Sequence, residues 1–213
     1  MKLHCIRSRG LAALALALAA AHVSAQPADG VLDPTFADEG IAIVGFDTLP
    51  GSPVDIALDS VVDSFNRIYL VGTVNTTGGQ RIGITRLRAD GTLDTNYGPQ
   101  DVGLVIAPEQ LGFSISGVSA AIDLQGRLLI GGTVTTNGND DFAVCRFDID
   151  GSLDAFPNGL QCVKVAFDLE TGDKSDILHD IAVQPDGKIV MVGSAVYNTS
   201  QTRLALARLD TNG

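Results

Sequence analysis

The chain has 213 residues, 45% of them hydrophobic, with 14 Lys and Arg against 25 Asp and Glu, for a net charge of −11. This apolar content excludes an intrinsically disordered chain, and the acidic surplus argues against a nucleic-acid-binding domain. The one long apolar run, at residues 11–21, falls well short of the roughly 20 residues that span a bilayer.

Lys2, Arg7 and Arg9 precede that run, and Val23, Ser24 and Ala25 follow it as a small-residue cleavage site. This layout predicts a secretory signal peptide over residues 1–25. Its removal takes away three cations and no acid, leaving 26–213 with 11 basic and 25 acidic groups, a net of −14. The mature chain is therefore expected outside the cytoplasm, periplasmic or extracellular. At that charge neither nucleic acid nor, after processing, a membrane is an expected partner.

The rest of the chain repeats. Gly30-Val31-Leu32-Asp33 returns as Gly91-Thr92-Leu93-Asp94 and as Gly151-Ser152-Leu153-Asp154, with the leucines 61 and 60 residues apart. Asn66–Gly72 matches Gly126–Gly132 and Gly187–Gly193, and Ile84–Leu87 matches Val144–Phe147 and Leu206–Leu209. Three blocks keeping one period define repeat units of approximately 30–90, 91–150 and 151–213.

Within the first unit, Ile41–Phe46, Asp55–Val62, Arg67–Val74 and Arg81–Leu87 are strand-length, rich in Val and Ile, and bounded by turn residues. Four strands per unit follow, with Pro185-Asp186-Gly187 as a tight turn in the last one. No window sustains helical spacing. The best helix candidate, Asp173–His179, reads as a loop leading into a strand.

The third strand, as at Ile68–Val74 or Lys188–Gly193, is almost continuously apolar, which predicts a strand covered on both faces. Stacked four-stranded sheets of β-propeller type supply that environment. An all-β fold of three such blades is the expected architecture, with a three-fold β-trefoil or β-prism as the alternative. Because propellers usually have about four to eight blades, three blades also raise the expectation of self-association to complete a ring, or of a longer array.

At the Gly-x-Leu-Asp blocks, the Asp186-Gly187-Lys188 turn and the Ala205–Leu209 ending, the sequence resembles the bacterial delta-60 repeat, also described as a β-propeller domain of unknown function. The resemblance runs over about residues 30–213. It implies a tandem-array fold in an exported bacterial protein, and it assigns neither an activity nor catalytic residues. The first unit departs from it with Phe65 and Asn66 in place of Asp-Gly, and the third with Ala155, Phe156 and Pro157 after its Leu-Asp.

Several residues could carry chemistry. Asp148, Asp150 and Asp154 around Gly151 could gather some of the about six to eight oxygens that calcium prefers. Arg88 replaces the first of them in the first unit, however, and Asp-Gly followed by Leu-Asp is ordinary turn chemistry. Arg86, Arg146 and Arg208 recur at one phase of the last strand, where they could bind an anion or pair with Asp33, Asp94 and Asp154. The pairing reading makes them staples between strand and turn. Cys145 and Cys162 flank the Leu153-Asp154 turn and could oxidise to a disulfide if their strands are neighbours, or remain two buried thiols.

His179 is the single histidine of the mature chain, and no Gly-x-Ser-x-Gly is present. A histidine-based hydrolase and a His/Cys zinc site are thereby disfavoured. The sequons at Asn75–Thr77 and Asn198–Ser200 fall at equivalent loop ends and are explained by turn composition. No cofactor is expected. The expected role is a binding or scaffold module, not an enzyme, with a protein or glycan meeting the loops Asn75–Gln80, Thr135–Asp141 and Tyr197–Thr202. The alternatives are a carboxylate-based hydrolase or lyase with its site where the blades converge, and a piece of a longer array.

Overall fold

The computed structural model describes residues 30–46, 54–108, 113–169, 175–198 and 201–213. The expected signal peptide lies outside them. Among the described residues twelve strands form in chain order: β1 (Asp55–Val62), β2 (Ile68–Thr76), β3 (Gly79–Leu87), β4 (Leu104–Ile106), β5 (Phe113–Ile122), β6 (Leu128–Thr136), β7 (Asn139–Phe147), β8 (Leu153–Asp154), β9 (Cys162–Val165), β10 (Asp176–Val183), β11 (Ile189–Asn198) and β12 (Gln201–Leu209). They make three antiparallel sheets: β1-β2-β3-β4, then β5-β6-β7 with both β8 and β9 on β7, then β10-β11-β12. No helix occurs among the described residues. The candidate at Asp173–His179 is strand β10 from Asp176 on, and its residues 173–174 lie outside the description.

The four-strand reading needs one correction. The strand that comes first in each sequence unit belongs to the preceding sheet: β4 pairs with β3 and β9 with β7. Ile41–Phe46, expected as a strand, forms only the isolated bridge Asp38↔Ile41. It is the counterpart of β4 and β9, and no sheet among the described residues stands before β1 to receive it.

Local chemistry sets the turns. Between the first and second strands of each sheet, Asn66 (φ 59°), Gly126 (φ 83°) and Gly187 (φ 84°) all take the left-handed conformation. Asparagine tolerates that region better than other side chains do, so the Phe65-Asn66 departure leaves the turn intact. Asp63 and Asp123 clasp these turns by accepting two backbone N–H groups each, from Phe65 and Arg67 and from Gln125 and Arg127. Asn137 and Gly138 are both left-handed, as a tight primed turn between β6 and β7 requires.

The sheets stack face to face. Tyr69, Val71, Ile82 and Ile84 of the first sheet pack on Leu128, Ile130, Cys145 and Phe147 of the second. Leu129, Phe142 and Val144, on the second sheet's other face, pack on Ile189, Met191 and Ala205 of the third. Leu128 and Leu129 thus bury opposite faces of one strand, which is why the third strand of each sequence unit reads as continuously apolar. Two separate cores between successive sheets are the propeller arrangement, whereas a trefoil or prism closes on one central core. The first strands also tie the sheets together. Asp59 accepts a hydrogen bond from Ala120 N at 2.7 Å, and Ser119 Oγ donates to Asp180 at 2.7 Å.

Cys145 on β7 and Cys162 on β9 are register partners and form a disulfide, with their Cα atoms 4.1 Å apart. In the first sheet Thr85 stands at the equivalent place, its hydroxyl donating to Gly103 O at 2.9 Å. The bond closes a loop of sequence separation 17. Replacing both cysteines by alanine is expected to cost roughly 3 kcal/mol. A urea denaturation series checks this as a lower midpoint; a midpoint like that of the unaltered oxidised chain would show that the bond constrains nothing beyond the β7–β9 pairing.

Candidate functional site

The meander order puts the hairpins β2–β3, β6–β7 and β11–β12 at one end of the three stacked sheets. These are the loops expected to make contacts. Their places are equivalent and their chemistry is not. At the first tip Thr76 Oγ1 donates to Gly79 O and accepts from Gly78 N, giving a small hydroxyl and glycine surface. At the second, Thr135 Oγ1 donates to Asp140, Asn139 Nδ2 to Asp141, and Lys164 Nζ lies 2.8 Å from Asp141 and 3.1 Å from Thr136 Oγ1. At the third, the Arg203 guanidinium stands 4.7 Å over the Tyr197 ring and donates to Gln201, while residues 199–200, part of the second sequon, lie outside the description.

Below the second and third tips lies Asp176, 1% exposed. Burial pushes its carboxyl above the usual carboxylate range, opposed by the N–H of Phe167 and reinforced by Asp141 and Asp168. An elevated carboxyl near other carboxylates is a signature of acid–base sites, and also of buried structural groups. The repeat decides between them. Asp176 accepts from Phe167 N at 2.7 Å, and Asp55 makes the same bond to Phe46 N at 2.7 Å. A contact found at the entrance of both the first and the third sheet is a clasp on the incoming chain.

The recurring arginines act at the opposite end. Arg86 meets Asp94 through Nε and Nη2, both at 2.8 Å, donates to Ile149 O at 2.6 Å and lies 4.5 Å over the Tyr97 ring. Arg146 meets Asp154 at 2.8 Å, donates to Ala155 O and lies 4.5 Å over the Phe156 ring. Each arginine therefore pairs with the aspartate that opens the following sequence unit. Asp33 and Arg208 do not join this pattern: Asp33 binds the N–H and hydroxyl of its neighbour Thr35, and Arg208 has no ion pair among the described residues.

The three aspartates weighed as a calcium site, Asp148, Asp150 and Asp154, make turn contacts. Asp148 accepts from Ile149 N, Asp150 from the N–H and hydroxyl of Ser152, and Asp154 is held by Arg146 and Arg127, so each carboxylate is committed to its turn. Among the described residues no group of three His, Cys, Asp or Glu is placed to hold a metal ion. Sequence reasoning missed Arg67 and Arg127, which bind Asp63 at 2.6 Å and Asp123 at 2.7 Å. Their signal was an Asp followed four residues later by Arg across a turn, visible at both places.

Stacked antiparallel meanders of three to five strands that follow a sequence period of about sixty residues define a β-propeller repeat fold. Residues 66–97, 126–156 and 184–213 each match the family model described as "Domain of unknown function (DUF5122) beta-propeller". Three segments of the chain thus match a β-propeller repeat model of unknown function. The first match contains both Arg86 and Asp94, and the second both Arg146 and Asp154. No curated protein matches the chain.

Proposed function

We propose that the chain is an exported binding or scaffold module of the delta-60 repeat type, which presents its three hairpin tips to a polar glycan or protein. The observation that carries this reading is the contrast at the tips. One fold position on three stacked sheets offers a hydroxyl and glycine surface, then an Asp-Asn-Lys surface, then an Arg-Tyr surface. Divergent polar groups on an invariant scaffold are what recognition by loops requires. Aromatic and guanidinium groups of the third tip suit stacking on a sugar or peptide face. The charge of residues 26–213 makes anionic polymers poor ligands.

The test is a printed array of oligosaccharides and polysaccharides probed with the labelled full chain, repeated with Tyr197→Ala and with Asn139→Ala. Binding to a defined glycan class, reduced about tenfold or more by either variant at unchanged melting temperature, is the expected result. Binding that both variants leave intact would move the site away from the tips. Release of reducing sugar from a bound glycan, abolished by Asp176→Asn, would replace the binding reading with carboxylate hydrolysis.

A further inference from the structure

The two junctions between successive sheets follow one plan at their arginine end and differ in what fills it. In the first junction Tyr69 of β2 stands beside Arg86 and Tyr97. In the second, Leu129 of β6 takes the place of that tyrosine, beside Arg146 and Phe156. We infer that the space filled by a tyrosine side chain in the first junction is, in the second, a binding site for a small neutral phenol. The site lies at the far end of the sheets from the hairpin tips, so it stands apart from whatever those tips bind.

The equivalence of the two places rests on register and burial. Tyr69 is the register partner of Arg86, and Leu129 of Arg146. Tyr69 and Leu129 are each 1% exposed, Tyr69 in the core between the first and second sheets and Leu129 in the core between the second and third. Leucine is shorter than tyrosine by the far half of the ring and the hydroxyl. Where those atoms are missing there is a cavity of about 150 Å³, lined by Leu124, Leu129, Arg146, Phe156 and Ile189, among others. A cavity of that size with Leu, Ile and Phe in its walls admits a benzene ring.

The first junction also shows what would hold the ring. Tyr69 meets Tyr97 edge to face, with ring centroids 5.6 Å apart, and its Oη accepts a hydrogen bond from Arg86 Nη1 at 3.4 Å. Phe156 offers the same aromatic partner in the second junction, and Arg146 the same donor. Arg146 is 4% exposed, and its Nε and Nη2 are taken by Asp154 and by Ala155 O. Its Nη1 makes no hydrogen bond among the described residues. A buried donor left without an acceptor is costly, and a ligand oxygen placed where Tyr69 Oη stands in the first junction would relieve that cost through a charge-assisted bond. One ring bearing one hydroxyl therefore satisfies both the aromatic contact and the free nitrogen.

Charge decides against an acid or an amine. Arg127 is paired with Asp123 and Asp154, Arg146 with Asp154, and Asp186, also on the cavity wall, with Lys188. A charged ligand would unbalance these pairs, whereas a phenol stays neutral below about pH 10.

Titration of the isotopically labelled full chain with para-cresol, which carries the atoms of a tyrosine side chain, tests this by amide nuclear magnetic resonance. Saturable shifts at Phe156, Gly187 and Ile189 are expected, with a dissociation constant on the order of 0.1–1 mM for so small a molecule. Toluene, without the hydroxyl, and para-toluate, with a charge, should each bind about tenfold or more weakly. Leu129→Tyr should rebuild the first junction's arrangement and abolish the shifts. Leu129→Phe, the smaller change, should abolish them too and keeps the test available if the tyrosine variant does not fold. An absence of saturable shifts at these residues would overturn the inference. So would toluene or para-toluate binding as well as para-cresol, or para-cresol binding undiminished in a folded Leu129→Tyr or Leu129→Phe chain.

Discussion

Gly193→Ala is expected to destabilise the chain by roughly 3 kcal/mol or more and to lower its melting temperature by roughly 6–12 °C. The reason is contact, not conformation, because Gly193 is not among the left-handed glycines. A methyl group there would fall 2.0 Å from the carbonyl oxygen of Ile177 and 2.7 Å from the Phe142 ring. The oxygen belongs to the backbone of β10, where the register with β11 slips between Leu178 and Asp180. That β-bulge turns the strand toward β11, and only a residue without a side chain lets the two backbones come so close. Relief would require β10 to move away by more than an ångström, but Leu178 and Ile181 on that strand are core residues between the second and third sheets. The first sheet repeats the arrangement: a Cβ on Gly72 would sit 1.9 Å from Ile56 O, beside the slip between Ala57 and Asp59. Gly72→Ala is therefore expected to cost a similar amount, and Ser194→Ala, one residue along β11, much less. Thermal unfolding followed by circular dichroism checks all three. Equal melting temperatures for Gly193→Ala and Ser194→Ala would show that the bulge yields cheaply.

The same glycines show why much of the fold was legible in the sequence. Gly72, Gly132 and Gly193 recur because every sheet needs its local geometry rebuilt, so period, strands and turns are written out three times. The two-faced burial of β2, β6 and β11 was visible for a similar reason, since it is a property of one strand. What was not legible is which strand neighbours which. Ile41–Phe46 has the composition of a strand, but whether it pairs depends on a sheet edge elsewhere, and β4 and β9 show that the edge belongs to the preceding unit. The staples were legible as an arginine–aspartate pairing but not as to which aspartate each arginine meets, because Arg86 and Asp94 come together only through that one-unit offset. Asp148, Asp150 and Asp154 drew attention as a possible cation site for want of hydrogen-bond geometry: nothing in the sequence displays the Ser152 hydroxyl and the Arg146 guanidinium that occupy them. The hairpin tips were legible as polar loops, while the Lys164 ammonium beside Asp141, brought in from β9, was not.

Arg86→Ala should cost about 3–5 kcal/mol, the range for removing one member of a buried ion pair, and lower the melting temperature by roughly 6–20 °C. Arg86 and Asp94 are only 4% and 6% exposed, so truncating the arginine leaves a buried carboxylate whose remaining cation is the half-exposed Arg88 guanidinium, 3.7 Å from its other oxygen. The loss also reaches across the sheets, because Arg86 on β3 donates to Ile149 O beyond the end of β7 and covers the Tyr97 ring. Arg86→Lys is expected to recover little, since a point ammonium cannot meet Asp94 through two nitrogens and stack on Tyr97 together. Joint replacement by Arg86→Met and Asp94→Leu should cost less than Arg86→Ala alone, because no orphaned charge is then left in the core. A double-mutant cycle with Arg86→Ala, Asp94→Ala and their combination measures the coupling, expected to exceed about 1.5 kcal/mol for a charge pair buried to this degree. Additive losses would mean that Asp94 is held by its backbone neighbours and that Arg86 acts through Ile149 and Tyr97 alone. The staple would then be a contact between sheets and not an ion pair between strand and turn.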